Sequence, residues 1–165
     1  MARLLRQGGT VLSWERSSHD AQKYSWSRYR TSQTNIIEAT FDFDGSHYLG
    51  SGVLEAGGVI TILAGGGGLY LVSACTHMHE NKDATDDGTD GNHQWSFKVS
   101  GSEIAAPSMY CTWNSAHVQY WETAGTVTLP IPLDSGDTIE IFGTAWIGAD
   151  PDTAFFNGVR IGAKS

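Results

Sequence analysis

The chain has 165 residues, of which 40% are hydrophobic and 17% are charged, and it contains 20 glycines and six tryptophans. This length suits one domain with its own core, and the composition excludes a disordered chain. The net charge of −8 argues against nucleic-acid binding by that domain. No apolar run reaches the roughly 18 residues of a membrane span, and the first ten residues lack the apolar stretch of a secretory signal.

The charge is unevenly distributed along the chain. Residues 1–30 carry six basic and two acidic side chains, whereas the remainder carries four basic and sixteen acidic ones. Residues 1–34 also lack a sustained hydrophobic period. We therefore predict an extended N-terminal docking arm over residues 1–34, followed by a single β-domain over residues 35–165.

Arginines and apolar residues are the predicted docking groups of this arm. The arginines would meet an acidic partner surface, and the apolar side chains would anchor the arm on it. These residues are Arg3, Arg6, Arg16, Arg28 and Arg30, together with Val11, Leu12, Trp14 and Trp26. Interleaved aromatics and arginines also occur in single-strand nucleic-acid binders, and an arm that folds back on its own domain is a further alternative.

The first clear alternation begins at residue 35. Ile37, Ala39, Phe41 and Phe43 share one face of a predicted strand. A second strand over residues 59–63 leads through four glycines at 65–68 into a third apolar run over 69–76. Glycine adopts positive φ at little cost, so the four glycines predict a turn between these strands.

The second half of the chain continues as short strands. Trp95, Phe97 and Val99 alternate with polar residues, and apolar side chains recur at every second position over 127–133. Pro130 and Pro132 on the other face predict an edge strand or a bulge. A turn at 134–137 precedes strands over 138–142 and 154–161. About seven or eight short strands with turn signals predict an all-β sandwich or jelly roll.

Neither cysteine has the surroundings of a reactive group. Cys75 and Cys111 lie in apolar, strand-like runs, where we expect buried thiols and no disulfide framework. The chain has no Gly-x-Ser-x-Gly turn, and its glycine run lacks the Lys-Ser/Thr of a phosphate loop. We predict that the protein is not an enzyme and uses no cofactor.

Two segments contain metal-ligand side chains. His77 and His79, followed by Glu80, would share a strand face, but the spacing to Leu71 and Asp83 does not fit the cupin pattern, so we interpret them as polar residues at a strand end. The acidic loop 83–92 is not an EF-hand, because Gln94 stands where a bidentate glutamate is needed. We predict no metal site, although a looser calcium site in this loop remains an alternative.

A group of aromatic residues is the strongest binding candidate of the domain. Aromatic side chains of this kind form the centre of oligomer interfaces, and they also stack on sugar rings. We favour the oligomer interface and keep ligand binding as the alternative. The group consists of Tyr110, Trp113, Tyr120 and Trp121.

Three motifs carry a resemblance to a known family. The strand at 60–63 followed by Gly-Leu-Tyr-Leu-Val at 68–72, the leucine and Gly-Asp turn at 133–139, and the terminal Phe-x-Gly strand at 155–159 occur in this order. Together they resemble the tumour necrosis factor-like superfamily, in particular the globular heads of complement-type proteins, over residues 35–163. The resemblance implies an all-β jelly roll of ten strands, assembled as a homotrimer, and it implies no activity.

Bacteriophage structural proteins use such heads with a short N-terminal segment, and this chain is similar to those. We therefore expect a trimeric capsid decoration or cement protein of the virion, assembled in the host cytoplasm. Its arm would dock on the major capsid protein or another virion protein, and its main domain would bind neither nucleic acid nor membrane. The alternative is a receptor- or glycan-binding head of a phage tail fibre. An extracellular signalling trimer would need an export route that this sequence does not show.

Overall fold

The computed structural model describes residues 21–30, 34–80, 92–104, 109–112, 121–147 and 154–163. Apart from a helical turn at 21–23, the regular structure of these residues is β-strand, and the strand pairs are antiparallel. The strands are β1 (Ser25–Tyr29), β2 (Thr34–Thr40), β3 (Gly45–Leu49), β4 (Val53–Ala56), β5 (Val59–Ile62), β6 (Gly68–Glu80), β7 (Asn92–Val99), β8 (Ser102–Glu103), β9 (Met109–Thr112), β10 (Trp121–Leu133), β11 (Thr138–Ile147) and β12 (Phe155–Gly162).

The strands form two layers. The first layer has the order β3-β1-β12-β6-β10, and the second is built around β11, which pairs with β7 on one side and with β2 and β5 on the other. Strand β4 extends the second layer beyond β5, and β8 and β9 extend it beyond β7. Within the described residues, backbone pairing joins the two layers at one position, where Ile147 of β11 lies opposite Met78 of β6. This arrangement confirms the predicted jelly-roll β-sandwich.

The core lies between the two layers. Its largest members include Trp26, Tyr70 and Phe156 from the first layer and Trp95 and Phe97 from the second, and each is at most 2% exposed. The rings of Phe97 and Phe156 meet across the sandwich, with centroids 6.3 Å apart. The predicted faces of β7 and β10 are confirmed, because Trp95, Phe97, Ile131 and Leu133 are all buried.

The position of β10 explains its two prolines. Within the described residues β10 pairs only with β6, in an uninterrupted register that places Pro130 opposite Leu71 and Pro132 opposite Leu69. A proline cannot donate to a ladder, but an edge strand tolerates it when the missing donor would face solvent. The predicted edge position is therefore confirmed.

The strand predicted from residue 37 to residue 43 is wrong in its details. Phe41 and Phe43 are buried as expected, but Ala39 is exposed, and β2 ends at Thr40. Glu38 has a φ of 46°, and the pairing of β2 with β11 shifts register nearby. A residue with positive φ interrupts the period of two, because the chain turns there instead of continuing its pleat. The described residues form twelve strands, more than the sequence or the resemblance indicated, because several are very short.

The predicted boundary between arm and domain at residue 34 is also wrong. Residues 25–29 form β1, which pairs with β12 along its whole length and with β3 on its other side. Trp26 is 2% exposed and packs against Tyr70 and Phe156, with ring centroids 5.9 Å and 5.6 Å away. It is therefore a core residue of the sandwich and not an anchor for a partner. The domain begins before β1.

Two further features of the described residues bear on function. Cys75 is a free, buried thiol, as predicted, whereas the side chain of Cys111 lies outside the described residues. Within the same ranges, no helix has the length and apolar character that a membrane span requires.

Candidate functional site

The outward surface of the first layer is the candidate site. On β6 the side chains of Tyr70, Val72 and Ala74 are fully buried in the core, so the intervening residues point to the outside of the sandwich. Gly158 faces inward, since its α-carbon lies against the ring of Trp26. The strand registers then place the outward residues of β1, β12, β6 and β10 in continuous rows.

These outward positions share one property, which is that none of the described ones carries a charge. We call this surface the neutral face. It comprises Ser25, Ser27 and Tyr29 of β1; Phe155, Asn157 and Val159 of β12; Leu69, Leu71, Ser73 and the buried Cys75 of β6; and Thr126, Thr128, Pro130 and Pro132 of β10.

Large apolar side chains are exposed on or beside the neutral face. Leu71 lies near its centre, between Val159 and Pro130, and is 39% exposed. Ile161 is 53% exposed and is the extra residue of a bulge, because Arg160 pairs with Tyr70 and Gly162 with Leu69. Exposed apolar side chains in neighbouring rows favour a protein contact over a surface that stays in water.

One row of the neutral face is polar. Ser27 lies opposite Asn157, Asn157 opposite Ser73, and Ser73 opposite Thr128, so four polar side chains cross four strands at the same level. The hydroxyls of Ser73 and Thr128 are hydrogen-bonded at 2.8 Å. The amide oxygen of Asn157 is buried and has no hydrogen-bond partner. We call these four residues the polar row.

The outer surface of the second layer has a different character. Lys98 of β7 lies between Glu140 of β11 and Glu103 of β8, and its ammonium group is 3.0 Å from the ring centroid of Phe142. Thr40 donates a hydrogen bond to the carboxylate of Glu140. Lysine and glutamate side chains on neighbouring strands are typical of a solvated surface. The two outer surfaces of the sandwich are therefore chemically distinct.

Arg28 of β1 and Arg30, which directly follows this strand, act inside the domain, which corrects the prediction that they meet a partner. Arg28 forms an ion pair with Glu55, with Nη2 3.0 Å from Oε2, and the two side chains are only 11% and 14% exposed. Arg28 also donates to the carbonyl of Phe43, and Arg30 donates to the carbonyl of Asp42. Both arginines therefore hold the segment 41–44 against β1.

The other predicted docking residues remain untested. Arg3, Arg6, Val11, Leu12, Trp14 and Arg16 lie outside the described residues, as do Trp113 and Tyr120 of the aromatic group. The backbone of Tyr110 belongs to β9, and Trp121 begins β10 opposite Glu80 of β6. The structure thus places Tyr110 and Trp121 on strands of different layers.

Tyr24 makes several contacts at the end of the sandwich where β1 begins. Its hydroxyl donates to the carbonyl of Ala64 at 3.1 Å, and the charged groups of Lys23 and Arg160 lie 5.0 Å and 5.5 Å from its ring centroid. The neighbouring Tyr70 donates to the carbonyl of Gly66. Burial raises the pKa of Tyr70 to about 12, against a smaller lowering by Arg160. The two hydroxyl hydrogen bonds hold the glycine turn before β6.

No candidate metal centre emerges from the described residues. They contain no group of three or more His, Cys, Asp or Glu side chains placed to hold an ion. The acidic loop 83–92 and the side chains of His77, His79 and Glu80 lie outside the described residues, so the calcium alternative stays a prediction.

The neutral face was missed by the sequence interpretation, although the sequence contains a signal for it. The sequence interpretation recognised β6, β10 and β12 as strands but placed β1 in the arm, and it did not consider the outward residues of these strands together. Over 69–75, 126–132 and 155–159 those alternate residues contain no Asp, Glu, Lys or Arg. A solvated strand face is usually rich in such residues, so their absence from three strands indicates a contact surface.

Comparisons with known proteins support the fold. No family model matches the chain, and no curated protein matches it. Among solved structures 229 chains match, including the Eiger TNF from S. frugiperda, with a TM-score of 0.61 and 12% sequence identity over 86% of this chain and 94% of that one. The chain therefore has the tumour necrosis factor-like jelly-roll fold.

Proposed function

We propose that this chain is a structural protein of a bacteriophage particle that makes and breaks no covalent bond. Three jelly-roll heads associate through the neutral face, and residues 1–20 dock the resulting homotrimer on the capsid as a decoration or cement protein. The neutral face is the observation on which the proposal depends.

Electrostatics favours self-association through this face. Two copies that each carry a net charge of −8 repel one another at most orientations. The repulsion is smallest where the contacting surfaces hold no charge, and the exposed Leu71 and Ile161 then gain by leaving water. The charged side chains of Lys98, Glu103 and Glu140 on the other layer would have to be desolvated in a contact there.

The docking role falls to residues 1–20, which contain the predicted docking groups that lie before the domain. With β1 assigned to the domain, this segment holds Arg3, Arg6 and Arg16 against Glu15 and Asp20, so its excess of positive charge is small. Its remaining docking groups are the arginines together with the apolar Val11, Leu12 and Trp14. Three copies of the segment in one trimer would multiply weak individual contacts into strong attachment.

Two exposed leucines give a matched test of the trimer. Leu71→Glu places a charge in the neutral face, whereas Leu54→Glu places the same charge on β4, where the leucine is 55% exposed. We expect sedimentation velocity to show a trimer for the wild type and for L54E, and a folded monomer for L71E. A wild type that is monomeric at every concentration, or an L71E variant that stays trimeric, would contradict the proposal.

Docking is tested by co-sedimentation of the full-length chain with virus particles that lack this protein. Replacing Arg3, Arg6 and Arg16 by glutamate should abolish co-sedimentation with these particles, whereas replacing them by lysine should retain most of it. Unchanged binding of the glutamate variant would count against the arm. A protein that does not bind these particles but binds host cells would instead be a tail-fibre head.

A further inference from the structure

Two basic side chains at one end of the sandwich have no ionic partner among the described residues. The basic residues of the described ranges are Lys23, Arg28, Arg30, Lys98 and Arg160. Arg28 and Arg30 bind groups of their own domain, and Lys98 lies between two glutamates of the second layer. Lys23 and Arg160 form no ion pair with any described residue. We call these two residues the cation pair.

Tyr24 brings the two members of the cation pair together. The centroid of its ring lies 5.0 Å from the ammonium nitrogen of Lys23 and 5.5 Å from the guanidinium carbon of Arg160. Tyr24 is only 3% exposed, and its hydroxyl donates to the carbonyl of Ala64. Lys23 is exposed and Arg160 is half-buried, so the cation pair lies at the surface on a packed support.

Two glycines leave the space that this arrangement needs. A Cβ atom at Gly68 would come within 2.5 Å of Nε of Arg160, and one at Gly66 would come within 2.8 Å of the ring of Tyr24. Both distances are shorter than a van der Waals contact. The glycine turn at 65–68 therefore forms the seat of Tyr24 and Arg160. A side chain that packing already holds in place loses less entropy when it binds a ligand.

The cation pair has the chemistry of an anion site. Two like charges beside the same ring repel each other, and an anion that contacts both relieves this repulsion. The guanidinium of Arg160 donates no hydrogen bond to a described residue, and its planar N–H groups match the two oxygens of a carboxylate. The carboxylate of Asp137 does not serve, because it accepts from the N–H of Asp134 and the hydroxyl of Ser100.

The position of the cation pair relative to residues 1–20 indicates which anion binds. Residues 1–20 join the described chain at residue 21, two residues before Lys23, so the proposed docking segment leaves the domain beside the pair. A threefold rotation keeps every atom at its own height along the axis, so a homotrimer holds three such pairs and three docking segments at one level. The excess of positive charge in residues 1–20 is small, and the pair adds to it.

We infer, on the basis of the proposed docking role, that Lys23 and Arg160 bind a carboxylate of the acidic virion surface to which residues 1–20 attach. This end of the head then faces the particle. Leu63 adds an apolar contact there, since it is 39% exposed and its carbonyl accepts from the N–H of Gly66 in the glycine turn. Nucleic acid is a poorer partner, because its phosphates repel a chain with a net charge of −8.

Substitutions that remove one charge test this contact on virus particles that lack the protein. K23Q and R160Q each remove a member of the cation pair, whereas K98Q removes the same charge from the second layer and is the matched control. An exposed ion pair changes an affinity by up to about fivefold, and three copies in one trimer multiply this factor. We therefore expect K23Q and R160Q to raise the dissociation constant in co-sedimentation about tenfold or more, and K98Q to leave it within about twofold of wild type.

A direct measurement on the full-length protein uses hexaglutamate as the probe. Its carboxylates should shift the NMR signal of the Nε–H group of Arg160, and the shift should be smaller in K23Q than in K98Q. Hexathymidylate, which offers phosphates instead, should cause a smaller shift at the same concentration. Circular dichroism checks that each variant is folded, and the exposed Lys23 supplies the test if R160Q does not fold.

The possible failures are distinguishable. A wild type that does not bind the particles would overturn the docking role, and with it the virion surface as the partner of the cation pair. Particles that bind K23Q, R160Q and K98Q equally well would overturn the contact of the cation pair and leave docking by residues 1–20 in place. An Arg160 signal that responds more to hexathymidylate than to hexaglutamate, or to neither, would overturn the carboxylate as the ligand.

Discussion

Gly158 lies directly against the indole ring of Trp26. A Cβ atom at this position would come within 2.2 Å of Cη2 and Cζ2 of the ring, so only glycine lets β12 approach so closely. The same ring packs edge-on against Phe156 with centroids 5.6 Å apart. The pairing of β1 with β12 and the filling of the core therefore depend on one contact between a backbone and an aromatic ring.

We expect Gly158→Ala to destabilise the protein. The new methyl group must displace the ring of Trp26, which is 2% exposed and packs against Tyr70 and Phe156. Overpacking of this kind costs about 1–3 kcal/mol in the free energy of unfolding. Urea denaturation followed by tryptophan fluorescence measures the change.

Gly162, at the end of the same strand, is the control. A Cβ atom there would meet nothing within 4 Å, so Gly162→Ala should change the free energy of unfolding by no more than about 0.5 kcal/mol. If the two alanine variants were equally stable, the contact between Gly158 and Trp26 would not be as tight as described.

The sequence predicts those strands in which apolar residues on one face alternate with polar residues on the other. Over 127–133 and 95–99 the apolar residues alternate with polar ones, and the structure buries those apolar faces. The edge position of β10 and the turn at 134–137 were also predictable, because proline lacks a backbone donor and glycine readily adopts a positive φ. Gly136 has a φ of 96°, and Asp137 donates its backbone N–H to the carbonyl of Asp134 at 3.1 Å.

Strand β1 and the neutral face were not predicted, for physical reasons. Strand β1 buries Trp26 on the same side as Arg28, and an arginine in an apolar period normally indicates a solvated face. Its tertiary contacts with Glu55 and with the carbonyl of Phe43 account for its burial. The polar row could not be singled out either, because it arises from the registers that align Asn157 with Ser73 and Ser27 on distant segments of the chain.

The ion pair between Arg28 and Glu55 should make a measurable contribution to stability. Replacing Arg28 by methionine removes the pair and the hydrogen bond to the carbonyl of Phe43, and it leaves a carboxylate that is only 14% exposed. Breaking a largely buried pair from one side costs about 3–5 kcal/mol. Chemical denaturation of R28M measures this loss.

A double-mutant cycle shows whether the loss comes from the pair itself. Glu55→Gln keeps an oxygen that can accept from the N–H of Gly58, which Glu55 now does at 3.1 Å. R28M/E55Q should lose less stability than the two single changes together, by about 0.5–3 kcal/mol. Additive losses would mean that Arg28 acts only through its contact with segment 41–44.

The buried hydroxyl of Tyr70 should make the protein sensitive to alkali. Its pKa is raised from 10.0 to about 12, so the folded state keeps the proton in a range where the unfolded chain has released it. Its contribution to stability is therefore complete below pH 10 and is lost as the pH rises through 12. A shift of this size corresponds to up to about 2–3 kcal/mol.

Tyr70→Phe isolates this effect from the other groups that titrate in alkali. The variant loses the hydrogen bond to the carbonyl of Gly66, so it should be less stable than wild type at neutral pH by about 1 kcal/mol. Above pH 10 its free energy of unfolding should fall less steeply than that of wild type. Parallel curves for the two proteins would show that Tyr70 does not titrate as described.

The salt dependence of the trimer should reveal how its subunits are held together. Each copy carries a net charge of −8, so the assembled copies repel one another, and dissolved salt screens this repulsion. An interface made by the neutral face contains no ion pair for salt to weaken. We therefore expect the dissociation constant of the trimer, measured by sedimentation equilibrium, to fall as sodium chloride is raised.

Salt could tighten the trimer in two ways, by screening the repulsion between the copies or by strengthening apolar contacts in general. Charge variants at Leu54 separate the two. This residue is 55% exposed on β4, outside the neutral face, so a substitution changes the net charge without touching the proposed contact. L54E raises the negative charge of each copy and should steepen the salt dependence, whereas L54K should flatten it. If the dissociation constants of L54E and L54K change equally steeply with salt concentration, the salt effect comes from the apolar surface alone. A trimer that loosens as salt rises would mean that ion pairs join the copies, and the contact would then have to lie on the charged layer around Lys98 and Glu140.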